Sequence, residues 1–264
     1  MRLTKHHGLG NDFLVLVDPA GRTPVSESMA VAVCDRHRGI GADGLLRLTR
    51  GSGDGALAMT LLNADGSRAE MSGNGIACLV QAALLSGMAT GDRITVSTEA
   101  GLKTVQVVSR PASGRHRMAV DMGAGKVGDD QPEWIDGTVL RATAVDMGNP
   151  HLVLHVGDPD DMPDLVRLGE VANRATPGGV NLELVTLGPG DNELTMQVYE
   201  RGVGPTEACG TGACAVAVAA HTWELVGSAM TVHQPGGDVR IELSDTVRYE
   251  VDVEFIGAVD WAPV

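Results

Sequence analysis

Two glycine-rich stretches, each followed by an uncharged run, decide how this chain folds. The first, Met71–Leu85, reads MSGNGIACLVQAALL, and the second, Ala208–Ala220, reads ACGTGACAVAVAA. A helix that is apolar on every side is buried, and both runs are too short to span a bilayer. We therefore predict buried helices over 76–85 and 213–220, each started by a Gly-x-Gly motif. Gly87 and Gly227 are the expected C-terminal stops.

The two stretches belong to a longer internal repeat. Gly10–Phe13, GNDF followed by LVL, matches Gly148–His151, GNPH followed by LVL, 138 residues later. The glycine-rich stretches repeat at an offset of 137, and the Thr-Val pair at 95–96 repeats at 231–232. Ordered matches at nearly constant offset indicate a duplication, which fixes the architecture before any single motif is interpreted.

The repeat predicts two domains of similar size. A Pro/Gly/Ser cluster at 111–114 marks the junction between strand-like segments. We predict an N-terminal half at 1–113, completed by a last strand at about 254–264, and a C-terminal half at 114–253. The fold class is α/β (α+β), with two pseudo-symmetric domains. In each, a curled mixed or antiparallel sheet surrounds the central buried helix.

Composition excludes several partners. Lys and Arg total 20 against 34 for Asp and Glu, and the net charge of −14 repels nucleic acid and anionic lipid. We find no apolar run of the ~18 residues that a membrane helix needs, and expect a soluble cytoplasmic protein. The four cysteines are too few for a disulfide scaffold and lack metal-binding spacing, so we expect free thiols and no metal.

Each Gly-x-Gly motif is immediately preceded by a residue that can carry a proton, Ser72 in the first half and Cys209 in the second. Free N–H groups and the positive dipole end of a helix start stabilise anions. A cysteine there commonly has a lowered pKa, so we expect Cys209 to act as a base near neutral pH. The duplication is expected to bring the two helix starts face to face.

Two proton carriers on opposite sides of one carbon are typical of a racemase or epimerase. One group removes the α-proton and the other returns a proton from behind. The intermediate is enolate-like, and helix N–H groups would stabilise its charge at the substrate carboxylate. The chain shows neither a pyridoxal-phosphate lysine environment nor a dinucleotide-binding fingerprint. We therefore expect a small-molecule amino-acid substrate and no cofactor.

The whole set of motifs resembles the diaminopimelate epimerase family. The matching segments run in the family's order from residue 8 to 216: GLGNDF at 8–13, RHRGIGADG at 36–44, NADGS at 63–67, AEM at 69–71, GNPH at 148–151, GVN at 179–181, YERG at 199–202 and ACGTGACA at 208–215. The resemblance implies the fold described above. It also implies epimerisation of LL- to meso-2,6-diaminopimelate in lysine and peptidoglycan precursor biosynthesis, by a homodimer.

The resemblance also assigns residues. It implies that Cys209 and Ser72 are the proton carriers, assisted by His151 and Glu200. The residues expected to contact substrate are Asn11, Asn63, Asn149, Asn181, Glu200 and Arg201 through side chains, and Gly73, Asn74, Gly210 and Thr211 through N–H groups to the α-carboxylate. Asn can donate and accept, Arg201 suits a carboxylate and Glu200 an ammonium. Asp12 and Asp65 are interpreted as turn or cap residues.

Two positions depart from the family pattern Cys-Gly-Asn-Gly-x-Arg-Cys. Ser72 stands where the family has its first catalytic cysteine, and Ala77 stands where it has an arginine. Serine is a much weaker acid than a thiol and, without an adjacent base, a poor proton acceptor near pH 7. Three readings stay open: a working epimerase, a related racemase or one-base dehydratase, and a catalytically impaired protein that binds substrate.

Overall fold

The structure, a computed structural model, describes residues 1–52, 56–111, 114–128, 132, 134–135 and 137–262. Residues 112–113 of the predicted junction and 263–264 of the predicted last strand lie outside these ranges. The strands are β1 (Arg2–Gly8), β2 (Asn11–Val17), β3 (Gly44–Arg50), β4 (Leu57–Asn63), β5 (Arg68–Ala69), β6 (Arg93–Thr98), β7 (Gly101–Ser109), β8 (Arg115–Asp121), β9 (Lys126–Gly128), β10 (Val139–Asp146), β11 (Pro150–Val156), β12 (Asn181–Leu187), β13 (Glu193–Glu200), β14 (Gly204–Thr206), β15 (Ala229–Gln234), β16 (Gly237–Leu243) and β17 (Val247–Asp260). The helices are α1 (Glu27–Cys34), α2 (Gly73–Leu85), α3 (Leu165–Ala175) and α4 (Gly210–Thr222), with a 3-10 turn at Pro159–Asp161.

The chain divides into two compact units. Unit 1 comprises Met1–Asp121 and Glu250–Val264, and unit 2 comprises Met122–Tyr249. Strand β8 lies in unit 1 because it pairs with β7 and with β17. The domain boundary that we expect from sequence, after residue 113, stays a prediction.

In unit 1, eight of the described strands form a closed ring. The pairs β1–β2, β3–β4, β6–β7, β7–β8 and β1–β17 are antiparallel, the pairs β2–β3 and β4–β6 are parallel, and β8 pairs with β17 to close the ring. Helix α2 contacts β1, β2, β3, β4, β7 and β8, and its residues 73–83 are all buried. The predicted central helix of this half is confirmed.

Unit 2 repeats the same order of pairings. Strands β10–β11, β12–β13 and β15–β16 pair antiparallel, and β11–β12 and β13–β15 pair parallel. Helix α4 has the same 13-residue length as α2 and contacts the strands from β10 to β13 together with β15 and β16. The mixed α/β fold and its duplication are therefore as predicted from the repeated motifs.

Each unit also has an outer helix. One face of the strands packs against this outer helix and the other face packs against the central helix, so each unit has two cores. Helix α1 shares a cluster with Leu14 and Leu16 of β2, and α3 shares one with Leu152 and Leu154 of β11. Successive side chains of a strand point to opposite faces. The residues that alternate with these leucines, which are Val15 in β2 and His151 and Val153 in β11, therefore face the central helix of their unit.

The two central helices end in the same way but with different residues. At α2 the Gly87 φ is +73°, and the N–H of Met88 reaches back to the carbonyl of Ala83 at 2.9 Å. At α4 the left-handed position is Glu224, with φ +62°, and the N–H of Leu225 reaches Ala220 at 3.0 Å. Gly87 is confirmed as a stop. Gly227 was the wrong choice, because the capping turn closes three residues before it.

Among the helices in the described part of the chain, we find none with both the length and the apolar character needed to cross a membrane.

Candidate active site

The starts of α2 and α4 are built alike. Ser72 is the N-cap of α2, and its Oγ accepts a hydrogen bond from the Gly75 N–H at 3.0 Å. Cys209 is the N-cap of α4, and its Sγ accepts from the Gly212 N–H at 3.3 Å. The carbonyl groups of a helix cannot accept from its first N–H groups, and in both helices the cap side chain accepts from one of them. The predicted location of Ser72 and Cys209 at the two helix starts is confirmed.

The last glycine of each motif permits close contact with its surroundings. A Cβ added at Gly75 would lie 3.0 Å from the Cβ of Ser72. One added at Gly212 would lie 2.7 Å from Oε1 of Glu183 and 3.2 Å from the Cβ of Cys209. Only glycine therefore lets the Glu183 carboxylate pack against the start of α4.

In unit 2, polar side chains connect Cys209 to the interior of the sheet. The Cys209 Sγ lies 3.5 Å from Oγ1 of Thr211, which accepts from Nδ2 of Asn149 at 3.3 Å. The Oδ1 of Asn149 is 3.1 Å from Nε2 of His151, and Nδ1 of His151 is 2.6 Å from Oε1 of Glu183. The structure thus brings together three predicted site residues, Asn149, His151 and Thr211, around the thiol.

Glu200, at the end of β13, lies beside the same thiol. Its Oε1 accepts a hydrogen bond from the Thr206 hydroxyl at 2.5 Å, and the Cys209 thiol is close enough to influence its pKa. Burial raises the pKa of Glu200, with the nearby Glu183 acting in the same direction, while Thr206 and the Cys209 thiol oppose the shift. A carboxylate in this setting can take up a proton more readily than an exposed one.

The expectation of a lowered pKa at Cys209 is wrong. Burial raises its pKa well above the ordinary value, and the charges of Glu200 and Glu183 raise it further. The hydrogen bonds from Thr211 and Gly212 act in the opposite direction but do not compensate. Desolvation and two carboxylates outweigh the helix start, so the resting group is a neutral thiol rather than a thiolate.

The other three cysteines are free but have no comparable position. Cys78 and Cys214 lie inside α2 and α4, where burial raises the pKa of each thiol. Burial, with Asp12 and Asp43 nearby, raises the pKa of Cys34 to about 12. Cys209 is also free, in agreement with the prediction of free thiols, and it alone among the four caps a helix.

In unit 1, predicted substrate-contact residues lie around the start of α2. Asn74 is buried, and its Nδ2 donates to Oδ1 of Asn11 at 3.3 Å. Nδ2 of Asn11 donates in turn to Oδ2 of Asp43 at 2.8 Å. Asn63, at the end of β4, donates to Oγ of Ser67 at 2.9 Å. The orientation of Asn11 and Asn74 is therefore held by neighbouring side chains.

Asp12 does not act as a turn or cap residue. It lies in β2, buried, with Nζ of Lys5 at 2.8 Å and the Arg36 guanidinium at 2.7 Å, and Arg36 also reaches Asp43 at 2.8 Å. Burial alone would raise the pKa of Asp12, but Arg36 and Lys5 outweigh it and lower that pKa. Asp65 does lie in a turn, where it accepts from the Ser67 N–H at 2.8 Å.

Asn181 and Arg201 lie together at the ends of β12 and β13. Oδ1 of Asn181 accepts the Arg201 N–H at 2.9 Å, and its Nδ2 donates to the carbonyl of Pro150 at 3.2 Å. The exposed Arg201 guanidinium donates to the carbonyl of Gly178 at 3.2 Å. Asn181 thus fixes the backbone of the turn that carries Arg201.

Comparison with known proteins decides the family. The family model described as diaminopimelate epimerase matches residues 3–127 and 143–256, most of the chain. The chain belongs to the diaminopimelate epimerase family. The diaminopimelate epimerase of Heliobacterium modesticaldum is 39% identical over 260 residues, covering 92% of each chain. That of Pelotomaculum thermopropionicum is 40% identical over 262 residues, covering 92% of this chain and 91% of the relative.

Solved structures share the fold of the diaminopimelate epimerase family at low sequence identity. A probable proline racemase from Agrobacterium radiobacter has a TM-score of 0.75 at 17% identity, covering 99% of this chain and 92% of its own. A phenazine biosynthesis protein of the PhzF family from Bacillus anthracis has a TM-score of 0.74 at 12% identity, covering 100% of this chain and 99% of its own. At these identities the likeness concerns the fold alone.

In this member of the diaminopimelate epimerase family, sequence reasoning missed Glu183. The residue is completely buried, faces α4 and contacts His151. A signal was present, because Asn181–Leu187 reads NLELVTL and places one carboxylate in the middle of an apolar strand. Acidic residues are almost never fully buried unless they are paired. That observation alone would have marked Glu183 for attention.

Proposed function

We propose that this protein interconverts LL- and meso-2,6-diaminopimelate by proton transfer at one α-carbon, with Cys209 as a proton carrier. The observation that carries the proposal is the setting of Cys209, a thiol at a buried helix start with Glu200 beside it. Family membership supports the substrate. In each turnover the Cα–H bond breaks, its proton passes to one carrier, and a second carrier supplies the proton of the new C–H bond.

Cys209 has different tasks in the two directions. When it donates, the S–H proton passes to the α-carbon and the thiolate left behind is stabilised by the Gly212 N–H and the Thr211 hydroxyl. When it accepts the α-proton, it must first lose its own. Glu200 serves as the acceptor for that proton, because burial raises the pKa of its carboxyl group.

The helix starts supply the electrostatic part of catalysis. As the α-proton leaves, negative charge builds up on the substrate carboxylate. Gly210 and Thr211 are the first residues of α4, and Gly73 and Asn74 are the first residues of α2. Their N–H groups and the helix dipoles stabilise such charge without reorganisation, which is a large term in reactions of this type.

We assign recognition of the distant amino-acid group of the substrate to polar side chains, as the resemblance to the family implies. Arg201 presents an exposed guanidinium suited to a carboxylate. Glu200 suits an ammonium group, and the amides of Asn11, Asn63, Asn149 and Asn181 can donate or accept. Asn11 and Asn149 are already held by Asp43 and Thr211 respectively, which reduces the entropy lost on binding.

Ser72 is the second proton carrier in this proposal, and it works less well than a thiol. Its Oγ occupies the N-cap of α2 as Cys209 occupies that of α4. A hydroxyl is too weak an acid to form an alkoxide near pH 7 without a base. We therefore propose that Ser72 passes a proton between the α-carbon and solvent water. Donation leaves a hydroxide ion in solvent, the reverse step consumes one, and transfer on this side therefore limits the rate.

The test is proton NMR in heavy water, with LL- and meso-diaminopimelate as separate substrates. Inversion from both sides with solvent deuterium incorporated supports the proposal. Exchange without inversion means that only one carrier works, as the one-base reading requires. If neither isomer exchanges with the wild type or with Ser72→Cys, the assigned substrate is wrong.

The Ser72→Cys variant has a matched control within the chain. Ser26 is also an N-cap, of α1, and its Oγ accepts from the Met29 N–H at 3.2 Å. We expect Ser72→Cys to raise the rate of inversion by at least about tenfold, because a thiol is several pKa units more acidic than a hydroxyl. Ser26→Cys should leave it unchanged.

We further propose that the enzyme acts without a cofactor, as a cytoplasmic homodimer. The chemistry of Cys209 and Glu200 supports the first point, because a thiol and a carboxyl group suffice to move the proton. The resemblance to the family supports the dimer. Light scattering coupled to gel filtration tests the dimer, and activity after exhaustive dialysis against chelator tests the cofactor.

A further inference from the structure

Glu183 forms a buried pair with His151 in the middle of unit 2. Both side chains have no exposed surface, and Oε1 of Glu183 lies 2.6 Å from Nδ1 of His151. Among the described residues the second oxygen, Oε2, has no hydrogen-bond partner. Burying a carboxylate costs several kcal/mol unless it is well paired, so a half-satisfied buried carboxylate calls for an explanation beyond packing.

The duplicated fold shows what the same positions look like without this pair. In β2 and β3, Phe13 pairs with Gly44 and Val15 with Leu46; in β11 and β12, His151 pairs with Asn181 and Val153 with Glu183. The equivalents of His151 and Glu183 in unit 1 are therefore Phe13 and Leu46, both buried. An apolar pair satisfies the fold at this place.

The polar pair occurs in the unit whose helix start carries the thiol. From Glu183, the contacts continue through His151, Asn149 and Thr211 to Cys209, with no step longer than 3.5 Å. Oε1 of Glu183 is also near enough to α4 to exclude a Cβ at Gly212. The Glu183 carboxylate is thus linked to Cys209 in two ways: through the side chains of His151, Asn149 and Thr211, and through its packing against the start of α4.

We propose that Glu183 is a positioning residue of the epimerase reaction. Its carboxylate accepts the Nδ1–H of His151, which fixes the orientation of the ring. Nε2 then faces Asn149, and Asn149 and Thr211 hold the Cys209 thiol in one orientation. The proposal rests on the proposed function, since the thiol must be the proton carrier for its orientation to affect rate.

The kinetic test uses Glu183→Gln, with Glu183→Asp as the conservative variant. The matched control is Glu193→Gln, which removes a second carboxylate in unit 2 whose Oε2 lies 3.2 Å from Nε2 of His233. We expect Glu183→Gln to lower kcat about 10- to 100-fold with a change in KM below about threefold, as for lost partners that orient a functional imidazole. The pH profile of kcat should shift, Glu183→Asp should recover part of the rate, and Glu193→Gln should match the wild type. A Glu183→Gln enzyme with wild-type kcat and pH profile would overturn the proposal.

A second measurement needs neither a folded variant at position 183 nor any activity. In wild-type protein labelled with 15N-histidine, His151 should show a protonated Nδ1 with a strongly downfield proton, identified by its loss in His151→Gln. An unprotonated Nδ1 contradicts the proposal. If the wild type fails to act on diaminopimelate while the Nδ1 proton is present, the proposed function fails and the positioning of His151 stands.

Discussion

Replacing Glu224 by glycine should stabilise unit 2, because Glu224 occupies a backbone conformation that suits glycine. Its φ of +62° lies in the left-handed region, where a residue with a Cβ is strained by roughly 1–2 kcal/mol. Its negative charge also follows the C-terminal end of α4, which costs a few tenths of a kcal/mol at an exposed site. Against this, glycine loses about 0.4–1 kcal/mol more on folding through the entropy of the unfolded chain.

The balance predicts a gain of about 0.5–1 kcal/mol for Glu224→Gly. For a chain of this size that corresponds to a rise in Tm of roughly 1–4 °C. Thermal unfolding followed by circular dichroism, together with the urea midpoint, measures the effect.

Two control variants separate conformation from charge. Glu224→Ala removes the charge but retains the strain, so its stability should lie within about 0.5 kcal/mol of the wild type. Gly87→Ala introduces the strain at the equivalent position of α2, where a Cβ would meet no other atom within 4 Å, and should cost about 1 kcal/mol. The reasoning is refuted if Glu224→Gly is no more stable than the wild type, or if Glu224→Ala is equally stabilising.

Two further predictions concern protonation. Glu200→Gln removes a carboxylate that raises the pKa of Cys209, so iodoacetamide should alkylate Cys209 faster at pH 8, by about tenfold for each unit by which the pKa falls. Cys209→Ser serves as the blank. An unchanged alkylation rate would contradict the proximity of Glu200 to Cys209. Burial lowers the pKa of His6 from 6.5 to about 4. Because the pKa in the folded protein is below that in the unfolded chain, the contribution of His6 to stability is present above pH 6.5 and is lost as the pH falls toward 4. The free energy of unfolding should fall by about 3 kcal/mol over that range. Urea unfolding of His6→Gln should show a correspondingly weaker pH dependence over that range, and an unchanged dependence would count against it.

The architecture was predictable because its signals are local and repeated. An uncharged run after Gly-x-Gly can be read from the residues themselves, and the second copy at 208–220 removes the ambiguity of the first. The residue at which a helix ends was harder to predict, for a physical reason. A glycine was available at Gly227, but the α4 turn closed earlier on Glu224, since tertiary context can hold a non-glycine residue at positive φ.

The chemistry of the site was only partly predictable. That Cys209 caps a helix follows from sequence, but the sign of its pKa shift depends on how deeply it is buried and on Glu200 and Glu183, which the fold brings close from other strands. The role of Asp12 was hidden in the same way, because Lys5 lies in a different strand and Arg36 in the segment after α1. Distances between elements, rather than the motifs, set these charges.

The closed ring of unit 1 has a consequence for how the chain reaches its native state. Residues 250–260 of β17 supply the strand that joins β1 to β8, and they follow the whole of unit 2 in the chain. Until they are synthesised, β1 and β8 each present an unpaired edge, and such edges invite pairing with other chains. Closing the ring also requires contacts over about 250 residues, a kind of pairing that forms slowly. During translation, unit 2 can therefore complete its own set of contacts before unit 1, although its sequence emerges later from the ribosome.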